Sequence, residues 1–117
     1  MNILYVEDEP MDAELVQNYL KITKHRLIVT ASLDEASQAL DDNIDLVLID
    51  IMLQDAKSGY GFVEGLRGQG FDKPVIAITG LAMARDIERC YQVGITDVLT
   101  KPYAIKELVA MFSKYAV

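Results

Sequence analysis

Hydrophobic residues along this chain fall into two arrangements that take turns. Short, nearly unbroken apolar runs occur at residues 3–6 (ILYV), 27–30 (LIVT), 46–49 (LVLI), 75–78 (VIAI) and 98–99 (VL). Runs of this length, rich in β-branched residues and bounded by polar ones, predict strands. Between them, apolar residues return at helical spacing. The first such stretch sets Met11, Leu15, Tyr19 and Ile22 on one face, with Pro10 suited to a first turn that has no use for its missing N–H. The second opens Ser32-Leu33-Asp34-Glu35, a capping-box pattern, and turns Leu33, Ala36 and Leu40 inward. The third carries Phe62, Val63 and Leu66 and ends at Gly68 and Gly70. A fourth covers about residues 82–92 and stops near Gly94, and the last presents Ile105, Leu108, Val109 and Phe112 along one side.

The pattern is therefore strand then helix, five times over. The runs at 46–49 and 75–78 are continuously apolar rather than alternating, as expected of strands covered on both faces. The predicted class is α/β: a doubly wound five-stranded parallel sheet with helices on each side. In such sheets functional groups gather at the carboxyl ends of the strands.

Composition adds mostly exclusions. The 117 residues suit one domain, spanning 1–117, with enough chain to bury a sizeable core. The net charge of −7 and the absence of a basic stripe argue against direct nucleic-acid or anionic-membrane binding. The single cysteine, Cys90, excludes an internal disulfide and a cysteine-rich zinc site, and its place in a helical pattern with Ile87 and Tyr91 predicts a packed thiol. Acids arrive by position 7, too early for a signal peptide, and no apolar stretch approaches the ~18 residues of a membrane span. A cytoplasmic protein is expected.

The polar residues at the strand ends change the picture more. Glu7, Asp8 and Glu9 follow the first run, Asp50 the third, Thr79 the fourth and Lys101 the fifth. Each alone has a bland reading as a cap, a turn residue or a solvated charge. Together they bring acids, a hydroxyl and an ammonium to one edge. Carboxylates from two strands suit Mg²⁺, which prefers oxygen ligands and offsets their mutual repulsion. Glu9 points instead into the first helical turn. Lys101 and Thr79 suit an anion's oxygens, and Gly80 leaves room for that anion near the backbone. A metal and an ammonium around one carboxylate form an arrangement fit to pass a phosphoryl group to it.

At these residues the chain closely resembles the receiver domain of bacterial two-component response regulators. The motifs are ILYVEDEP, DLVLIDIML, PVIAITG and VGITDVLTKPY, and the resemblance covers essentially the whole length. It implies a flavodoxin-like (CheY-like) three-layer sandwich of strand order 2-1-3-4-5. It also implies that Asp50 accepts a phosphoryl group from a histidine kinase or a histidine phosphotransfer protein. Mg²⁺, or another divalent cation such as Mn²⁺, would be held by Glu7, Asp8, Asp50 and the backbone carbonyl of Met52. Thr79 would bond the phosphoryl group and move with the switch, Lys101 would pair with a phosphoryl oxygen, and the Lys101–Pro102 peptide bond would be cis. The face of the fourth helix, fifth strand and fifth helix would then change for a downstream protein target. Such a domain assists its own phosphorylation without being a turnover enzyme. With no segment after Val117, action through protein contacts is expected, whether alone or as part of a longer protein.

Three departures from the family pattern stand out. Val98 occupies the place of a common switch aromatic, and Tyr103 is a neighbour but not an equivalent. Gln54 replaces a common proline in a loop that is one residue longer and includes Lys57. Met52 and Leu81 flank the path of the hydrolytic water and orient it poorly, which predicts a long-lived phosphoryl group. His25 precedes the second strand, away from the acids, and reads as a surface histidine. Among rival readings, an aspartyl-phosphate phosphatase of the haloacid dehalogenase type lacks its second aspartate, since Met52 stands there. A flavodoxin's phosphate would be repelled by Glu7-Asp8-Glu9. A receiver-like interaction module that is never phosphorylated stays open.

Overall fold

The predicted alternation is present in full in the computed structural model, which describes residues 1–51, 59–80 and 83–115. Its elements are β1 (Asn2–Val6), α1 (Pro10–Leu20), β2 (Arg26–Thr30), α2 (Leu33–Ala39), β3 (Leu46–Asp50), α3 (Gly59–Gly68), β4 (Val75–Thr79), α4 (Ala84–Gln92), β5 (Asp97–Thr100) and α5 (Ile105–Tyr115). All neighbouring strands run parallel, in the order β2-β1-β3-β4-β5. Every residue of β3 and of β4 is buried, which is why their sequences are apolar without alternation.

Strand parity divides the core into two. Leu4, Val6, Val47, Ile49, Val75 and Ala77 pack with Leu33 and Ala36 of α2, Val63 and Leu66 of α3, and Cys90 of α4. Ile3, Tyr5, Leu46, Leu48, Ile76 and Ile78 pack with Ala13, Val16 and Leu20 of α1 and with Leu108 and Phe112 of α5. The result is a three-layer sandwich. Continued past the strand ends, the same alternation carries Glu7, Asp50 and Lys101 to the α1/α5 side.

Local signals act as read. Glu9 caps α1, its side chain accepting from the Met11 N–H, and Pro10 opens the helix. Ser32 Oγ accepts from the Glu35 N–H at 3.1 Å, and Glu35 reaches back to the Ala31 N–H at 2.9 Å. Gly94 follows α4 at φ +105°, in the left-handed region that favours glycine. A Cβ there would stand 2.8 Å from Cγ of Arg67, whose guanidinium ties Gly94, Phe71 and Lys73 carbonyls together. Cys90 is a buried thiol.

Two expectations need correction. The buried face of α1 is Ala13, Val16 and Leu20, while Met11 and Ile22 are 77% and 84% exposed and Leu15 is about half exposed. The sheet selects smaller residues for close approach, and of the larger stripe only Tyr19 still packs at the edge of the α1/α5 core. His25 is half-buried rather than on the surface, with Nδ1 3.0 Å from the terminal amine and its ring tilted against Phe112.

Candidate functional site

The site is assembled at the carboxyl ends of β1, β3, β4 and β5, which lie next to one another in that order. Lys101 follows β5, and its backbone N–H donates to the Thr79 carbonyl at 2.8 Å, fixing the lysine beside the end of β4. From there its ammonium donates to Asp50 Oδ2 at 2.7 Å, Asp12 Oδ2 at 2.9 Å and Glu7 Oε1 at 3.1 Å. An ammonium has three protons, and all three are engaged by carboxyl oxygens. Burial alone would weaken the lysine's hold on its proton, but the bonds to Asp50 and then Asp12 raise its pKa overall.

Glu7 lies in the driest part of the cluster. Its side chain is wholly buried, and Oε2 has no hydrogen-bond donor among the described residues. Burial, with Asp50 beside it, pushes its pKa up to about 8 despite the bond to Lys101. Asp50 is buried at the end of β3, and Thr79 is buried at the end of β4. Asp8 is exposed on the same edge. Tyr5, one layer below, has a fully buried hydroxyl without a partner among the described residues, and burial holds its pKa high.

Of the residues singled out from sequence, the structure joins Glu7, Asp50 and Lys101 directly and sets Asp8 and Thr79 at the same edge. Met52, Gln54, Lys57 and Leu81 lie outside the described residues. The Lys101–Pro102 bond is cis. Val98 is half-buried against the α2–α4 side of the sheet, whereas Tyr103 packs on the α1/α5 side, so the two are not interchangeable. Sequence reasoning missed Asp12. The available signal was its position in the first turn of a helix that starts at the site, where a side chain overlooks the strand ends.

The donor set suits a hard divalent cation. Glu7 offers an orphaned buried oxygen, and Asp50 and Asp8 offer further carboxylate oxygens. Among the described residues no three metal-ligating groups already converge at binding spacing, and the Lys101 ammonium is in contact with both Glu7 and Asp50.

Fold and edge cluster together define a flavodoxin-like α/β domain with an acid–lysine centre at its strand ends. The chain belongs to the response regulator receiver domain family, whose model matches residues 3–113. It is 30% identical over 108 residues to the response regulator SaeR of Staphylococcus aureus, an alignment covering 92% of this chain and 47% of that protein. The chain thus spans about half the length of that relative. Among solved structures it is similar to the BeF₃-activated N-terminal receiver domain of Klebsiella pneumoniae RstA. That match has a TM-score of 0.90 and 28% identity, and covers 98% of this chain and 97% of that one. The non-phosphorylated HemR receiver domain of Leptospira biflexa matches with a TM-score of 0.89 and 26% identity, covering 97% and 92% of the two chains. No helix among the described residues is long and apolar enough to cross a membrane.

Proposed function

We propose that the chain, as a single receiver unit over residues 1–117, accepts a phosphoryl group on Asp50 from a histidine kinase or histidine phosphotransfer protein. The observation that carries this reading is the 2.7 Å contact between the Lys101 ammonium and a buried Asp50 oxygen, beside Glu7. An Asp50 oxygen forms the new P–O bond while the P–N bond to the donor imidazole breaks, and the imidazole nitrogen keeps that electron pair. Lys101 turns from the carboxylate to a phosphoryl oxygen, and the Thr79 hydroxyl donates to another. Glu7, Asp8, Asp50 and the Met52 carbonyl would hold a Mg²⁺ ion, which would supply charge neutralisation for the phosphoryl oxygens. The site acts once per signal and is not a turnover enzyme. Movement of Thr79 reshapes the α4–β5–α5 face for a downstream protein.

The BeF₃ complex of the RstA receiver supports the same chemistry here. Intact mass after incubation with a small phosphodonor and Mg²⁺ tests it. One added phosphoryl group is expected, lost in Asp50→Asn and with a chelator. No added group, together with no binding of beryllofluoride, would leave the unphosphorylated interaction module as the reading.

A further inference from the structure

We propose that Asp12 is a positioning residue for Lys101, holding its ammonium from helix α1 and setting the site's balance between a cation and a phosphoryl oxyanion. This rests on the phosphoacceptor reading of Asp50 and extends it to a residue outside the expected set.

The three acceptors around Lys101 do not have equal futures in that reaction. Asp50 gives up its carboxylate charge when its oxygen is phosphorylated. Glu7 turns its oxygens to the divalent cation. Asp12 is assigned no part in holding the metal and reaches the ammonium from a different element, at 2.9 Å. It is therefore the partner that keeps Lys101 through the whole cycle. An acid in a helix's first turn has an ordinary use, since it complements the dipole. That use requires no lysine. Here the side chain is 43% exposed yet directed onto the ammonium, and the bond to Lys101 holds its carboxyl below the usual range.

The consequence is one of sign. A fixed negative charge beside the site strengthens its attraction for a divalent cation. The same charge opposes a phosphoryl oxyanion, by repulsion and by competing for the ammonium's protons. Asp12→Asn keeps the shape and removes the charge. Mg²⁺ affinity is then expected to fall and beryllofluoride affinity at saturating Mg²⁺ to rise, each by about three- to tenfold for one charge in a partly solvated site.

The test is titration of the full chain, first with Mg²⁺ alone and then with beryllofluoride at saturating Mg²⁺, followed by backbone amide shifts at constant pH and ionic strength. Unsubstituted protein, Asp12→Asn and Asp12→Glu are compared, the last expected to restore both constants towards the original. Opposite shifts in Asp12→Asn support the inference. Loss of both affinities would make Asp12 a structural prop and overturn it, as would no change in either. Beryllofluoride binding by the unsubstituted chain shows that the phosphoacceptor reading stands while Asp12 is judged. Its absence there would overturn that reading and this inference with it.

Discussion

Glu7 shows what burial does to a single carboxyl at this edge. Its ordinary value of 4.5 rises to about 8, because ionising it places charge in a dry site next to Asp50 and the Lys101 bond only partly compensates. Between those two pH values the folded chain holds a proton that the unfolded chain releases. The contribution of the Glu7 proton to stability is therefore complete below about 4.5 and is lost as pH rises through about 8. In metal-free buffer, the urea midpoint should fall from pH 5.5 to 8.5 more steeply in the unsubstituted chain than in Glu7→Gln. Parallel pH profiles for the two proteins would contradict the raised value. Asp50 and Lys101 were legible in the sequence because one ends and the other follows a strand marked by its apolar residues. Asp12 was not, because its approach depends on how α1 is rotated over the sheet.

That rotation is a property of the element. By spacing alone, Met11, Leu15, Tyr19 and Ile22 make as good an apolar face as Ala13, Val16 and Leu20. Close packing against β1 and β3 favours the second set, and the Glu9 cap fixes the phase. Thermal or urea unfolding should separate the two faces. Leu20→Ala is expected to cost roughly 2–5 kcal/mol as a buried truncation. Ile22→Ala, at an 84% exposed position, should stay within about 0.5 kcal/mol. Equal losses would return α1 to the face its larger residues suggest. The other helices were easier to read, since Val63, Leu66, Leu108 and Phe112 are both the periodic and the buried residues.

At the scale of the molecule, the two half-cores meet the site unequally. Strand parity sends Glu7, Asp50 and Lys101 to the α1/α5 side, so a cation bound there is coupled to the packing of the whole sheet edge. A ligand that binds only the folded chain stabilises it by mass action. Mg²⁺ at ten times its dissociation constant should raise the unfolding free energy by about 1.4 kcal/mol. The increment should vanish when Glu7→Gln and Asp8→Asn are combined. An unshifted unfolding curve in the unsubstituted chain would count against a metal at these acids.

The elements, their order and the edge at which chemistry collects can all be read along the chain. Those features depend on local periodicity, on caps such as Glu9 and Ser32, and on stops such as Gly94. They also depend on the fact that a strand end delivers its next residue to a predictable place. Packing in three dimensions sets which face of α1 is buried, that His25 packs on Phe112, that Val98 and Tyr103 lie on opposite sides of the sheet, and that Asp12 shares the Lys101 ammonium with Glu7 and Asp50. Each of these is a contact between elements far apart in the chain. Its geometry follows from close packing of helices on the sheet, to which a one-dimensional pattern of polar and apolar residues is degenerate.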